Sequence, residues 1–138
     1  VNFLLDTNAI SEWVKPRPNP GLIRWMEEAD EDRLFLSVIT LAELHYGFER
    51  MPAGARRTHV ERWLRLELPL RFERRVLPVS EEIALVWGKL VSLSDSAGRP
   101  MGVMDAFLAA TAQVHDLTLV TRNVGHFSVL KAVISPWT

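Results

Sequence analysis

Four short apolar runs recur along the 138 residues, each too short for a helix and each followed by a stretch long enough for one. Phe3–Leu5, Leu34–Val38, Val76–Val79 and Leu117–Val120 read as buried strands, and Val133-Ile134 as a fifth. Asn8 to Val14 reads as a short helix capped by Thr7 or Asn8. Asn19-Pro20 reads as an N-cap followed by proline at the first helical position, opening a helix through about Ala29. Thr40 to Met51 places Leu41, Leu44, His45 and Phe48 on one stripe. Further helices are expected over Arg56 to Glu67, where Pro69 interrupts or ends the run, from a Ser80 cap to about Ser94, and from Gly102 to His115. Strands alternating with helices predict an α/β fold in three layers, α/β/α, around a central parallel sheet of four to five strands. No repeat, linker or low-complexity tract divides the chain, so residues 1–138 are expected to form a single domain.

Composition narrows the function classes. Cysteine is absent, which excludes disulfides, thiolate metal sites and cysteine nucleophiles, and suits a reducing cytoplasm. No uncharged apolar run is long enough for a transmembrane helix, and no basic-then-apolar leader opens the sequence, so neither membrane insertion nor secretion is expected. A net charge of −1 gives no global attraction for nucleic acid, so a nucleic-acid binder needs a local patch. One exists between Arg50 and Arg75, where eight arginines and no lysine face three glutamates. A planar guanidinium suits phosphate, although such a run also suits an ordinary solvated helix face.

Four polar residues stand in apolar surroundings. Asp6, in LLDTN, falls where the first strand ends, and open parallel sheets bind ligands at the carboxyl ends of their strands. The same position also suits a helix cap or an Asx-turn. Glu43 is flanked by Leu41, Ala42 and Leu44; Asp105 opens the apolar helix of VMDAFLAATA, where the helix dipole tolerates an acid; Asn123 follows the fourth strand in LVTRN. Each has an ordinary solvated explanation when taken singly. Together they place acids and an amide along one expected rim. Carboxylates gathered there repel unless a cation lies between them, and hard divalent cations take oxygen ligands.

The segments LLDTNAISE, LSVITLAELHYG and VMDAFLAATAQVHDLTLVTRNVGHF, spanning most of the chain, resemble the PIN-domain ribonucleases, and among them the VapC/FitB-like toxins of type II toxin–antitoxin pairs. The resemblance implies a PIN-like fold and Mg²⁺-dependent endoribonuclease activity, with Mn²⁺ substituting, in which a metal-activated water hydrolyses RNA phosphodiester bonds. It further implies a cytoplasmic protein, a homodimer or a larger toxin–antitoxin assembly, and a small VapB-type antitoxin partner. Carried over by position, Asp6, Glu43 and Asp105 match the acidic metal ligands. Asn123 stands where many members place a fourth acid, and Thr7, Asn8 and Thr121 match the polar neighbours of the site. His126, in NVGHF, replaces an acid found in many relatives. Arg122 is a candidate RNA contact, and Trp13 and Trp25 lie where such relatives expose apolar surface to the antitoxin. Two rival readings share these residues: a metal-dependent nuclease or phosphohydrolase acting on another substrate such as DNA, and a non-catalytic module that binds RNA or an antitoxin.

Overall fold

The computed structural model describes every residue from Val1 to Thr138. Five strands form one sheet: β1 (Phe3–Leu5), β2 (Leu34–Ser37), β3 (Val76–Leu77), β4 (Thr118–Val120) and β5 (Val133–Ile134). Their order is β3-β2-β1-β4-β5 and every pairing is parallel. Helices α1 (Thr7–Glu12), α2 (Pro20–Glu28), α3 (Val38–Glu49), α4 (Ala55–Arg62) and α5 (Leu68–Arg71) are separated in sequence from α6 (Glu81–Ser96) and α7 (Val103–Val114) by β3.

Successive residues of a strand point to opposite faces, and the core divides accordingly. Leu5, Leu34, Leu36, Val76, Val120 and Ile134 join the cluster that also contains Ile10, Leu22, Phe48 and Phe72 from the α1–α5 side. Leu4, Phe35, Leu77, Leu119 and Val133 join the opposite cluster, with Ile83, Leu90, Leu108 and Ala109 from α6 and α7. The small residues Ala106, Ala109, Ala110 and Ala112 are at most 1% exposed, so α7 packs close. The three-layer parallel architecture expected from the alternation is present.

Some boundaries differ from the expectation for identifiable reasons. Val38 begins α3 rather than ending β2, because Ser37 Oγ accepts the Ile39 N–H at 3.0 Å and caps the helix there. Helix α1 is capped not by Thr7 or Asn8 but by Asp6, whose Oδ1 accepts the Ala9 N–H at 2.8 Å. Pro69 does not end the arginine-rich helix. A π-helical stretch, Trp63–Glu67, widens the turn ahead of it, with the Leu68 N–H reaching the Trp63 carbonyl, and α5 continues to Arg71.

The strand order fixes where chemistry can be placed. From β1 the chain builds outward to β2 and β3, then returns to lay β4 and β5 on the other side of β1. The order therefore reverses between β1 and β4, and the crevice beyond their carboxyl ends is the switch point at which such sheets bind ligands.

Candidate active site

Asp6 follows β1 at this switch point. Its N–H donates to the Val120 carbonyl at 3.1 Å, which ties it to the end of β4. The residue is only 5% exposed. Thr121, fully buried just after β4, hydrogen-bonds the Asp6 carboxyl and also accepts the Asn123 N–H at 3.1 Å on Oγ1. Glu43 reaches the site from α3, the helix that follows the neighbouring strand β2; Thr7 Oγ1 donates to its Oε1 at 2.6 Å. Asp105 comes from the first turn of α7, which leads into β4.

The electrostatics tie the three acids together. Burial pushes the Asp6 carboxyl above its ordinary value of 3.8, the Thr121 and Ala9 hydrogen bonds oppose this, and the charges of Asp105 and Glu43 push it up further. No lysine or arginine forms an ion pair with any of the three. The basic group facing them is His126, whose Nδ1 lies 3.8 Å from Asp105 Oδ2.

Whether this rim suits a divalent cation follows from its donors. All are hard oxygen atoms, the class that Mg²⁺ and Mn²⁺ take, and their mutual repulsion is the field a cation relieves. No three His, Cys, Asp or Glu side chains converge tightly enough to ligate one ion as they stand. The Thr7 hydroxyl holds one oxygen of Glu43. The donor set fits a cation, with a shift of side chains needed to close on it.

The other expected residues fall into place unevenly. Asn123 is exposed at the start of the short 3₁₀ turn Val124–Phe127, and its side chain makes no capping bond. Asn8 is exposed in α1, where its carbonyl accepts from Ser11 Oγ at 3.2 Å. Arg122 is exposed, and its charge acts on Glu12. Trp13 and Trp25 are half-buried and packed inward: Trp13 lies against Phe72 and under the Arg71 guanidinium at 4.2 Å, and Trp25 meets Phe3 edge-on. The arginine patch is largely committed to internal contacts. Arg57 Nη1 caps the end of α3 through the Phe48 and Met51 carbonyls, both at 2.7 Å. Arg56 bonds the Val14 carbonyl, Arg75 the Leu34 carbonyl at 2.7 Å, and Arg71 pairs with Glu31 at 2.7 Å.

One residue escaped the sequence reading. Glu12, the last residue of α1, is 3% exposed. Burial alone would raise its carboxyl, but Lys15 Nζ, the Asn19 N–H at 2.8 Å and the Arg122 charge hold it below its ordinary 4.5. Its spacing of three from Lys15 was the available signal.

Comparison with known proteins agrees with this geometry. The PIN domain family profile matches residues 3–131. Toxin FitB of Neisseria gonorrhoeae is 34% identical, over 98% of each chain. VapC ribonuclease Y4jK of Sinorhizobium fredii is 35% identical, over 98% of this chain and 97% of that one. The crystal structure of FitAcB from Neisseria gonorrhoeae superposes with a TM-score of 0.92 and 34% identity, covering 98% of both chains. A switch-point acid rim, a family profile spanning most of the sequence and full-length relatives thus converge: the chain belongs to the PIN domain family, in its VapC/FitB toxin group.

Proposed function

We propose that this protein is the toxin of a type II toxin–antitoxin pair and a Mg²⁺-dependent endoribonuclease, with Mn²⁺ able to substitute. PIN-domain nucleases depend in general on a divalent metal. In this reading residues 1–138 act as one PIN domain in the cytoplasm, as a homodimer held in check by a VapB-type antitoxin. Two relatives are named as a toxin and a VapC ribonuclease, and the solved neighbours include FitAB and VapBC toxin–antitoxin complexes, which supports the activity and the partner together.

The observation that carries the reading is Asp6: a carboxyl at the switch point, raised chiefly by its own burial and further by two neighbouring acids, and paired with no lysine or arginine. Asp6, Glu43 and Asp105 would hold the cation. When bound, a divalent cation activates water and stabilises charge developing on a phosphoryl group. The chain's own contribution is placement. The Ala9 N–H and Thr121 hydroxyl orient the Asp6 carboxyl, and Thr7 fixes one oxygen of Glu43. Asn123, exposed at the lip, offers an amide oxygen or N–H to a water or to RNA without adding charge. Asn8 follows Thr7 and Arg122 follows Thr121 in sequence, and Arg122 would supply positive charge for a phosphate.

Incubation of the purified protein with RNA tests this. Cleavage with Mg²⁺ or Mn²⁺, stopping on chelation and leaving 5′-phosphate and 3′-hydroxyl ends, is expected. Cleavage that persists in excess EDTA, or products ending in 2′,3′-cyclic phosphate, would overturn it, since the latter require the 2′-hydroxyl as nucleophile.

A further inference from the structure

Beside Asp105, away from Asp6, a groove of about 920 Å³ runs between the end of α6, the loop that follows it and the turn after β4. Its size falls within the range of roughly 300–1,000 Å³ usual for ligand sites. Asp105 forms one wall, so the groove is continuous with the acid rim.

The groove is built on a defined helix end. At the close of α6 the Gly98 N–H bonds the Asp95 carbonyl at 3.1 Å and the Arg99 N–H bonds the Ser94 carbonyl at 2.9 Å. Gly98 takes φ +70°, which a side chain would strain. This pair of bonds with a left-handed glycine is a Schellman motif, and Pro100 then turns the chain away. The motif fixes the backbone of Arg99 at the groove edge. Unlike Arg57, Arg71 and Arg75, which are tied to carbonyls or a carboxylate, the Arg99 guanidinium has neither an ion pair nor a hydrogen bond to the protein. His126 lines the groove with it. Leu93, Met101 and Val129 supply apolar surface, and Ser94, 3% exposed, lines the groove with an Oγ that has no hydrogen-bond partner.

We propose that this groove is the RNA subsite for the nucleotide adjoining the scissile phosphodiester, with Arg99 and His126 taking its phosphate and Met101 and Val129 its base. The proposal rests on the endoribonuclease reading and adds where the strand lies: it leaves the acid rim past Asp105, toward α6, and not across the arginines of α4 and α5. An unpaired guanidinium on a fixed backbone, an imidazole and an apolar wall match a ligand that is anionic at one end and presents an apolar face at the other.

Anisotropy of a fluorescein-labelled, sequence-randomised single-stranded oligoribonucleotide, read in EDTA so that binding is seen without cleavage, tests the assignment. Arg99→Gln should weaken binding about tenfold, as expected for loss of one charge-assisted contact. It should also lower the slope of log affinity against log salt by about 0.7, the value for one phosphate contact on a single strand. Ala97→Glu, at an exposed groove position, should weaken binding as well. Lys89→Gln, an exposed cation elsewhere on α6, should change neither quantity. An Arg99→Gln protein with parental affinity and salt slope overturns the subsite, as does a parent protein that binds no RNA. Failure of the nuclease reading alone would look different: RNA bound through Arg99 yet left uncut when Mg²⁺ is supplied.

Discussion

Helix α1 carries a buried acid at each end, and the two are opposites. Asp6 caps its start, Glu12 is its last residue, and both are at most 5% exposed. Glu12 is satisfied by Lys15, the Asn19 N–H and the Arg122 charge, and its carboxyl is held down. Asp6 has hydrogen bonds but no cation, faces two further acids, and its carboxyl is pushed up. Burial is common to both, so burial does not mark function. What separates them is compensation: Glu12 fastens the end of α1 to the chain that follows, whereas Asp6 is left with a charge that the protein alone does not balance.

The largest expected effect is on Asp6. Asp6→Asn retains an oxygen for the Ala9 N–H, so the cap survives, but it removes the charge. RNA cleavage should fall by at least about a hundredfold, as when one preorganised electrostatic partner is removed from an active site. In EDTA the variant should melt at a higher temperature than the parent, because the cost of the buried charge has gone. A lower melting temperature would break the contrast with Glu12.

Glu12→Gln should do the reverse. It weakens two charge-assisted hydrogen bonds and should cost about 2 kcal/mol of stability in a denaturant titration, while cleavage per folded molecule is kept. Loss of cleavage without loss of stability would place Glu12 in the site after all.

The two acids should also separate with pH. Glu12 has a lowered folded pKa, so its contribution is present above its ordinary 4.5 and is lost as pH falls through the folded value. Asp6 has a raised folded pKa, so its handicap is absent below 3.8 and grows as pH rises from there through the folded value. On acidification from neutral, the stability advantage of Asp6→Asn over the parent should shrink, and so should the deficit of Glu12→Gln. Equilibrium unfolding of the three metal-free proteins across this range checks both signs. Smaller still is Thr7→Val, which removes the 2.6 Å bond to Glu43 and should cost about 1 kcal/mol with a modest fall in cleavage.

The strands were legible because buried runs such as Leu4-Leu5 and Leu119-Val120 have no polar interruption, and alternation then implied a parallel sheet. Asp6, Glu43 and Asp105 were legible as charges inside apolar segments, which ordinary amphipathic helices do not need. What escaped depends on contacts distant in sequence or on side chains meeting backbone. The adjacency of β1 and β4, which makes Asp6 a switch-point residue, is a pairing across more than a hundred residues. Ser37 outweighed the strand preference of Val38 by offering its hydroxyl to a helix N–H. The π-helical stretch ahead of Pro69 is invisible to a pattern of period 3.6. Arg57 and Arg75 read as a surface patch because nothing local reveals the carbonyls they bind.

The central claim is that Asp6, Glu43 and Asp105 serve one cation. Calorimetric titration of Mn²⁺ into the parent, Asp6→Asn and Asn123→Asp proteins tests it most directly. The parent should bind Mn²⁺, Asp6→Asn should nearly lose that binding, and Asn123→Asp, which adds an acid at the lip, should bind more tightly or take up a second ion. An Asp6→Asn protein that binds Mn²⁺ as well as the parent would contradict the account.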